Sequence, residues 1–337
     1  MTDTIRIDAD DATLPTTLAH VDPPFRGAWF AGDPGVLARR PRIGIVGSRH
    51  PRAEAATVAR RIALEAARAG CTVVSGLAIG IDGIAHRAAL DAGGTTIAVL
   101  AGGLRRVQPA SNRDLARTIA GSRTSTGVEP GTCPVARGLV LSEYGPDLED
   151  ALPYRFRERN RIIAGLSDYV VVVQARHDSG SMLTADAALL LGVPIGVVPS
   201  APDDPTYAGA TRLIRDGADA VVDGTSLFRR LEVHGIMHPG FAAAAALGAI
   251  VDPDLPGAWI GGVDGVQLPL FDHPLASIVQ VPRTLEEIAG LADMSLRDVR
   301  HMLLDLEEEG MVLHADDGTW LSADVGSRGL ESPTNVV

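Results

Sequence analysis

Between residues 42 and 223 the chain alternates short, almost wholly apolar runs with longer stretches in which apolar residues recur every three or four positions. Apolar runs without polar alternation are expected for strands that are covered on both faces of a parallel sheet. The seven predicted strands are RIGIV (42–46), CTVV (71–74), TTIAVL (95–100), GLVL (138–141), DYVVVV (168–173), PIGVV (194–198) and DAVV (219–222). Repeated alternation of strand and helix predicts a doubly wound α/β fold with a mostly parallel sheet.

The stretches between these runs have a helical period and predict the connecting helices. The first of them is followed by Gly70, in the position that commonly ends a helix. The predicted helices are 53–69, 81–92, 111–120, 158–166, 181–191 and 209–216. Residues 1–41 form a Pro-rich lead-in that is too short for an independent core, so the predicted α/β domain covers 42–230.

The last third of the chain has a different pattern. Residues 231–282 are rich in Ala, Gly and Pro and show no clear periodicity, which predicts a linker. Residues 283–321 then give the order helix, turn, helix, hairpin, which predicts a small winged helix-turn-helix domain. The final residues, 322–337, are expected to form a disordered tail.

Local signals within 283–321 support that order. Thr284 with Glu287 three residues later forms a capping box, which marks a helix start. The second helix is predicted to begin near Ser295, and Asp317-Gly318 is a hairpin signal. The residues of this second helix expected to face inward are Leu296, Val299, Leu303 and Leu306.

Charge is distributed unevenly along the chain. The formal net charge is -12, from 30 basic and 42 acidic residues, and every basic residue is an arginine because the sequence contains no lysine. Residues 1–230 hold 26 arginines against 25 acidic residues, whereas 231–337 hold 4 against 17. A strongly acidic chain is expected to avoid nucleic acid and anionic membranes on average. This expectation does not apply to residues 1–230, whose charges nearly cancel.

Several classes of protein are excluded by composition. Only Cys71 and Cys133 occur, which excludes a disulfide scaffold and a four-cysteine zinc site, and no other metal-ligand spacing is present. No apolar run approaches the ~18 residues of a membrane span, and the acidic N-terminus lacks the apolar core of a secretory signal. The expected location is therefore the cytoplasm, with no membrane partner.

The predicted strands end in small and cationic residues. The first three end in Gly47-Ser48-Arg49, Ser75-Gly76 and Ala101-Gly102-Gly103, and Ser179-Gly180-Ser181 follows the fifth. Ligands of an open α/β sheet bind outside the carboxyl ends of its strands. Small residues let backbone amides approach a phosphate, and arginine adds a bidentate donor. Each loop alone is also compatible with an ordinary turn, but four of them on one edge predict a phosphate-bearing ligand.

Dinucleotide and P-loop motifs are absent from these loops. The sequence lacks GxGxxG, and without lysine it cannot contain GxxxxGK[ST], so no nucleotide cofactor is predicted. The densest cationic run is RFRERNR at 155–161, with four arginines and one glutamate. Arginines at a helix start oppose the helix dipole, so a polyanionic ligand is the functional interpretation and a solvated helix start is the alternative. Tyr154 and Phe156 are placed to stack on bases.

Seven motifs, in the same order along the chain, resemble the DNA-processing protein A family, DprA/Smf. They are GIVGSR (44–49), SGLAIGIDGIAH (75–86), the GG-to-PxxN stretch at 102–112, LSEY (141–144), RNRIIAGLS (159–167), SGSMLTA (179–185) and LIRDGA (213–218). The resemblance covers about residues 14–223, and the predicted winged helix is similar to the C-terminal domain of many members.

The resemblance implies a Rossmann-like fold that binds single-stranded DNA without sequence preference and without catalysis or cofactor. It implies a role in DNA processing and natural transformation, in which the protein protects incoming strands and loads the RecA recombinase onto them. It further implies a homodimer formed through the Rossmann-like domain. By position, the implied phosphate-binding residues are Ser48, Arg49, Ser75, Gly76, Gly102, Gly103, Asn112, Arg113, Arg159, Asn160 and Arg161, with Phe156 for base stacking.

The sequence departs from the family pattern at several of these places. Phe156-Arg157 replaces the family's Phe-Pro, Gln108-Pro109 replaces its Tyr-Pro, and Gln174 replaces a common acidic residue. Arg113 replaces a frequent lysine, which keeps the charge and changes the geometry. Residues 121–137 are an additional Gly/Ser/Thr-rich loop. These differences bear on functional equivalence and not on the fold.

Other functions are compatible with parts of the pattern. Ser75, His86 and Asp82 contain the residue types of a hydrolase triad, but no GxSxG elbow supports one. Asp82 is expected to cap a helix or bond a loop amide, and His86 to fix a loop. The main alternative is a protein of a related Rossmann-like fold that binds or hydrolyses a nucleotide derivative; another is a pure interaction protein.

Two features of the last third remain to be assigned. Within 284–321, 2 arginines face 10 acidic residues, so phosphate repulsion opposes DNA binding and favours a protein-contact or autoregulatory role. In the linker, the segment Gln267, Leu268, Pro269, Leu270 and Phe271 is similar to the short peptide by which bacterial proteins dock the replication sliding clamp. The alternative is that its apolar side chains pack on the α/β domain.

Overall fold

The computed structural model describes residues 4–121, 138–148, 152–201, 204–238, 240–242, 283–292, 295–308, 312–314 and 319–322. The chain divides into two compact units, residues 1–230 and 231–337, which are described separately below. Residues 122–137 of the additional loop, the sliding-clamp segment Gln267–Phe271 and the predicted tail beyond residue 322 lie outside the described residues.

Unit 1 is built on a nine-stranded sheet. Its strands are β1 (Ile5–Ile7), β2 (Ala28–Gly32), β3 (Arg42–Gly47), β4 (Thr72–Ser75), β5 (Thr96–Val99), β6 (Gly138–Ser142), β7 (Tyr169–Val173), β8 (Ile195–Val197) and β9 (Asp219–Ala220). Their order across the sheet is β1-β2-β6-β5-β4-β3-β7-β8-β9. The seven strands from β3 onward pair in parallel, so the predicted α/β fold with a mostly parallel sheet is confirmed.

The lead-in contributes two strands that the sequence pattern did not predict. β1 pairs antiparallel with β2, and β2 pairs antiparallel with β6, with Phe30 opposite Leu141. β1 spans three residues and β2 five, too short for their periodicity to stand out. Phe30 and Ala31 are buried in the sheet, so residues 4–41 belong to the α/β unit instead of preceding it.

Helices connect the parallel strands and cover the sheet. They are α1 (Ala53–Arg68), α2 (Ile81–Asp91), α3 (Arg113–Ile119), α4 (Pro153–Leu166), α5 (Gly180–Leu190), α6 (Ala208–Arg215) and α7 (Gly224–Val233). The first six match the predicted helices, with one clear difference. α4 begins at Pro153 and not near residue 158, because Pro153 occupies the first helical turn, where its missing N–H has no helical partner to lose.

The direction of winding reverses between β3 and β7. From β3 the chain proceeds through β4 and β5 to β6 on one side, and from β7 through β8 to β9 on the other. Both central strands are almost entirely buried, and Ile43, Ile45, Val171 and Val172 have no exposed surface. Such a reversal leaves a crevice at the carboxyl ends of the two strands, and this is where ligands bind in open α/β sheets.

Unit 2 follows the predicted order of elements. Its helices α8 (Leu285–Ala292) and α9 (Leu296–Glu308) precede the antiparallel strands β10 (Val312–His314) and β11 (Trp320–Ser322). The Thr284–Glu287 capping box is confirmed, because the Thr284 N–H donates to Glu287 Oε2 (3.0 Å) and the Glu287 N–H to Thr284 Oγ1 (3.3 Å).

One detail of the second helix was wrong. Val299 and Leu303 are fully buried as predicted, but Leu296, at the first position of α9, is 48% exposed. The first turn of a helix projects past the partner helix more readily than its centre does. Among the described residues, no helix is long and apolar enough to cross a membrane.

Candidate nucleic-acid interface

A cleft of about 590 Å³ opens at the reversal between β3 and β7. The turn after β3 forms one wall, the first two turns of α4 another, and the segment from β7 into α5 a third. The side chains that matter below are those of Ser48, Arg49, Phe156, Arg157, Gln174 and Arg176. The carboxyl-edge position predicted from the strand ends is therefore a real cavity in the structure.

Arg49 is the exposed cation on the β3 side of this cleft. Its guanidinium lies over the ring of Phe156, 5.5 Å from the ring centroid, so α4 and the β3 turn are joined by a cation–π contact. The turn is fixed by the backbone: the Ile81 N–H donates to the Ser48 carbonyl (3.1 Å), and the His50 N–H donates to Ser48 Oγ (3.1 Å). Arg49 is thus presented to solvent from a rigid loop.

Gly80 makes this close approach of two loops feasible. It has a φ of 81°, in the left-handed region, and a Cβ at this position would collide with the Ser48 carbonyl oxygen. Only glycine avoids both costs. The glycine-rich SGLAIGID segment therefore packs against the GSR turn, and its residues Ala78 and Asp82 contribute to the lining of the cleft.

Arg159 lies buried beneath the cleft. Its Nη1 donates to the carbonyl oxygens of Gly76 and Val99, at the ends of β4 and β5, and the side chain is 4% exposed. Asp82 lies near this guanidinium, and its Oδ2 accepts from the Gly76 N–H (3.2 Å) and the Ala78 N–H (3.4 Å). The prediction that Asp82 bonds loop amides is confirmed.

Burial shifts the pKa values of Arg159 and Asp82. Burial lowers the pKa of Arg159 to about 10, and Asp82 opposes the shift. Burial also raises the pKa of the Asp82 carboxyl, with Arg159 opposing that shift in turn. Arg159 therefore stays protonated at neutral pH and ties α4 to the ends of β4 and β5.

The two predicted asparagines bond the backbone around the cleft. Asn160 Nδ2 donates to the Gly180 carbonyl (2.9 Å) at the start of α5, and its Oδ1 accepts from Arg159 Nε (3.2 Å). Asn112 Nδ2 donates to the carbonyl oxygens of Leu77 and Ala78 (both 3.0 Å). Asn112 and Asn160 are buried, so both hold loops in place.

Arg161 is engaged away from the cleft. It forms a two-pronged ion pair with Glu143, with Nη1–Oε2 at 2.8 Å and Nη2–Oε1 at 3.0 Å. Its Nε donates to the Pro23 carbonyl (2.6 Å), and the residue is only 7% exposed. Arg161 therefore fastens the middle of α4 to the end of β6 and to the N-terminal segment.

The remaining predicted residues are spread along the carboxyl edge. Ser75 is fully buried and its hydroxyl donates to the Ile45 carbonyl (2.6 Å), so it joins β4 to β3. Gly102 is half-buried and Gly103 is buried against the 145–148 loop. Arg113 is exposed at the first position of α3, where its Nε donates to the Val107 carbonyl (3.1 Å).

Several residues that line the cleft were not among the predicted site residues, and three of them bear on the binding of a ligand. Arg157 is exposed on α4, and the Arg176 side chain is 71% exposed in the segment after β7. Gln174 has a φ of 49°, unusual for a residue other than glycine, and its Oε1 accepts from the Arg52 N–H (2.8 Å). Both Gln174 and Arg176 directly follow a predicted strand, so the rule that ligands bind at carboxyl ends was the signal that could have found them.

The residue types of a hydrolase triad do not form a relay. The Ser75 hydroxyl donates to Ile45, and His86 Nδ1 bonds Thr96 Oγ1 on β5 (2.7 Å). Burial lowers the pKa of His86 to about 3, so this fully buried imidazole is neutral at physiological pH. His86 fixes a strand, where the sequence had predicted a loop. Within the described ranges, no group of three or more His, Cys, Asp or Glu side chains could hold a metal ion.

Comparison with known families agrees with this arrangement. The family model described as DNA recombination-mediator protein A matches residues 6–232, about two thirds of the chain. The chain belongs to this family. The resemblance seen in the seven sequence motifs is thereby confirmed over the whole of the α/β unit.

Individual members of the recombination-mediator family match between about two thirds and nine tenths of this chain. DNA processing protein DprA of Bacillus subtilis is 37% identical over 218 residues, which cover 64% of this chain and 67% of that protein. Protein Smf of Escherichia coli is 32% identical over 304 residues, 90% of this chain and 73% of that protein.

Two solved structures of the family share the fold. DNA processing protein A from Streptococcus pneumoniae gives a TM-score of 0.60 at 32% identity, covering 68% of this chain and 74% of that one. A structure describing the single-stranded DNA binding mode of DNA processing protein A from Helicobacter pylori gives 0.58 at 26% identity, covering 70% and 98%.

Proposed function

We propose that this chain binds single-stranded DNA without sequence preference at the carboxyl edge of its sheet, and that it acts in DNA processing. The observation that carries the proposal is the Arg49–Phe156 pair in the cleft between β3 and β7. A guanidinium beside an aromatic ring offers one group for a phosphate and one for an unpaired base. The name of the Helicobacter pylori relative supports the same ligand.

The exposed arginines suit a strand better than a single nucleotide. Arg157 and Arg176 lie around the same cleft as Arg49, and Arg113 lies on the same sheet edge at the start of α3. One nucleotide needs one phosphate site, whereas a strand needs cations along its path. A nucleotide hydrolase would also need a catalytic carboxylate; Asp82 is occupied by two backbone amides, whereas Asp178 and Asp186 are exposed carboxylates that line the cleft. On the spread of the arginines along the sheet edge, we propose a binding protein without catalysis.

Burial divides the eleven residues implied by the resemblance into two roles. Ser48, Arg49, Gly102 and Arg113, which keep exposed surface, are proposed to contact phosphates, together with Arg157 and Arg176. Phe156 is proposed to stack on a base. The buried residues are proposed to position these contacts without touching DNA; they are Ser75, Gly76, Gly103, Asn112, Arg159, Asn160 and Arg161.

Further partners are proposed from family membership. The family's description as a recombination mediator supports a recombinase partner, and we propose that this chain loads RecA onto bound strands. We also propose protection of incoming strands during natural transformation, a homodimer formed through the α/β unit and a cytoplasmic location. Docking of the 267–271 segment to a sliding clamp stays a prediction.

Unit 2 is proposed to be a winged helix that does not bind DNA. Its helix, helix, hairpin order supports the fold, and its excess of 10 acidic residues over 2 arginines within 284–321 opposes phosphate contact. An acidic unit tethered to a DNA-binding unit repels the strand or competes with it. A chain truncated after residue 242 should therefore bind single strands more tightly at low salt. Unchanged affinity would contradict this role of unit 2.

The proposed function is tested by competition at a stated salt concentration. Fluorescence anisotropy of a labelled oligothymidylate is measured with the full chain while unlabelled single strands, duplex or free nucleotides compete. Single strands of any sequence should displace the probe at similar concentrations, and duplex and nucleotides only at far higher ones. Displacement by a free nucleotide at the concentration of the strand would favour the nucleotide-binding alternative.

A further inference from the structure

A second cluster of aromatic and cationic side chains lies at the start of α4. The Arg155 guanidinium lies over the ring of Tyr144, 5.0 Å from its centroid, and over the ring of Tyr154 at 5.5 Å. Arg155 Nε also donates to the Tyr154 hydroxyl (3.2 Å). These three residues are called the tyrosine step below. They are separate from the Arg49–Phe156 pair of the cleft.

The tyrosine step is held from below. The Tyr144 hydroxyl donates to Oε2 of Glu158 (2.8 Å), which lies on α4 one helical turn after Arg155. The Tyr144 N–H donates to Ser142 Oγ (3.1 Å) at the end of β6. Tyr144 in turn supports Arg155, and Arg155 orients Tyr154. The order of contacts therefore runs from the fixed end of β6 to an outer ring.

That outer ring is exposed although it is fixed. Tyr154 is 51% exposed, and among the described residues it is the only aromatic one of the eleven exposed large hydrophobic side chains. An exposed tyrosine normally loses rotamer freedom when a ligand binds it. Contact with Arg155 restricts this ring beforehand, which lowers the entropic cost of stacking a base on it.

The tyrosine step adjoins the cleft along the helix. Arg155 and Phe156 are consecutive, so their Cα atoms are about 3.8 Å apart, and their side chains leave the first turn of α4 toward different neighbours. Phe156 meets Arg49 on the β3 side, and Arg155 meets Tyr144 on the β6 side. A strand that leaves the cleft over the start of α4 passes from one aromatic surface to the next.

A further cation, Arg105, lies on a loop that bonds the loop after Tyr144. The loop after β6 bonds the loop after β5, through the Arg105 N–H to the Pro146 carbonyl (3.1 Å) and the Gly103 N–H to the Leu148 carbonyl (3.3 Å). Arg105 is exposed there and pairs with the exposed Asp147. Since surface ion pairs contribute little, this arginine can exchange its partner for a phosphate.

We infer that the tyrosine step is a second base-stacking site, and that the bound strand crosses the start of α4 from the cleft toward Arg105. The inference rests on the proposed function and adds a direction to it. The ligand class is an unpaired base of any sequence, because stacking on a tyrosine uses the π face that all bases share. Arg155 positions the outer ring and adds charge beside the phosphate backbone.

Two substitutions and two ligands test the inference in the full chain. Tyr154→Ala removes the ring, and Tyr154→Phe keeps the ring while removing its hydroxyl. Each variant is titrated with an oligothymidylate of about 12 nucleotides and with an abasic strand of the same length, which keeps the phosphates and lacks the bases. Arg49→Ala is measured in parallel.

Tyr154→Ala should weaken binding of oligothymidylate about 5- to 100-fold, the usual range for losing one stacked base. Binding of the abasic strand should stay within a factor of about two, and Tyr154→Phe should bind both ligands as the wild type does. Equal losses on both strands, or no loss on oligothymidylate, would overturn the inference.

The two proposals fail in distinguishable ways. If Arg49→Ala weakens binding and Tyr154→Ala does not, the DNA site in the cleft is supported and the stacking site at the tyrosine step is contradicted. If the wild-type protein binds neither oligonucleotide, both fall together. Thermal unfolding of Tyr154→Ala should match the wild type within a few degrees, because an exposed ring contributes little to the core.

Discussion

Arg159 is a cation that is almost fully buried in the floor of the cleft. Its guanidinium bonds the carbonyl oxygens of Gly76 and Val99, and Asp82 balances its charge from the first turn of α2. Gly76 has to be a glycine because this guanidinium occupies the space that a side chain would take. Gly76 and Arg159, both assigned to phosphate binding from the sequence, therefore pack directly against each other.

Gly76→Ala should destabilise unit 1. The new methyl group would collide with the buried Arg159 guanidinium, and overpacking of this kind costs about 1–3 kcal/mol. Gly180→Ala is the matched control, since a Cβ there meets no atom within 4 Å. Urea unfolding should show a clear loss for Gly76→Ala and a change below about 1 kcal/mol for the control. Equal stability of the two variants would contradict the placement of Arg159.

His86 makes stability depend on pH. Its pKa is about 3 in the folded chain, because burial disfavours the imidazolium, against an ordinary value of 6.5. As the pH falls below 6.5, the unfolded chain takes up a proton that the folded chain rejects. This contribution to stability is therefore complete above pH 6.5 and lost toward pH 3.

Between pH 7.5 and pH 5, His86 should remove about 2 kcal/mol from the free energy of unfolding. The measurement is urea unfolding at both pH values for the wild type and for His86→Gln, which cannot take up the proton. The variant should be less stable overall but lose about 2 kcal/mol less on acidification. An identical pH dependence in both proteins would show that His86 is not the titrating group.

At the scale of elements, α4 combines two kinds of arginine. Arg159 and Arg161, in its middle, are buried and bonded to neighbouring loops, whereas Arg155 and Arg157, nearer its start, keep contact with solvent. The string RFRERNR gave no sign of this division, because a run of like charges has the same appearance whether it faces solvent or backbone carbonyls. The register of the helix on the sheet decides it.

Arg161→Ala and Arg157→Ala should therefore have opposite effects. Removing Arg161 leaves Glu143 without its buried partner and should lower stability by about 3 kcal/mol. Removing the exposed Arg157 should leave the melting temperature unchanged and weaken single-strand binding. Calorimetry and anisotropy on both variants separate the two roles; a stable Arg161→Ala that has lost DNA binding would return this residue to the interface.

The fold was predictable because its signals are local and repeated. Seven apolar runs became the seven parallel strands, and their boundaries moved by at most two residues. β1 and β2 were not predicted, since Ile5–Ile7 and Ala28–Gly32 have no repeating pattern. β1 pairs with β2, and β2 pairs with β6, more than a hundred residues away. The start of α4 at Pro153 was not predicted because apolar residues do not recur at helical spacing between Tyr154 and Arg157.

The site was predictable only to the level of an edge. Which strand ends carry Ser48, Gly76 and Gly102 follows from the sequence, and so does their convergence. Which of these residues are buried does not follow from the sequence. Ser75 and Arg49 are equally good candidates for phosphate binding by sequence, whereas the structure shows the Ser75 hydroxyl bonded to Ile45 and Arg49 exposed to solvent. Gln174, noted only as a departure from the family pattern, and Arg176 were not assigned to the site, since no small residue directly follows the end of β7.

At the scale of the whole molecule, charge is arranged by edge and by unit. The loops that lead from helices into β4, β5, β7, β8 and β9 contain no arginine, and Arg39 and Arg40 precede β3 at that edge. At the opposite edge, the arginines that follow strands are Arg49, Arg105, Arg106 and Arg176. The acidic excess lies in residues 231–337. A net charge of -12 is therefore compatible with a cationic surface on one side of unit 1.

The most direct test of that surface is the salt dependence of binding. Arg49→Ala and Arg68→Ala each remove one exposed arginine, the first at the cleft and the second at the far end of α1, on the opposite edge. The slope of log affinity against log salt is measured with oligothymidylate for both variants and the wild type. Arg49→Ala should weaken binding and reduce the slope by about 0.7, the value for one phosphate contact on a single strand, while Arg68→Ala should match the wild type. Equal slopes and affinities in all three proteins would contradict a DNA-binding site at the carboxyl edge.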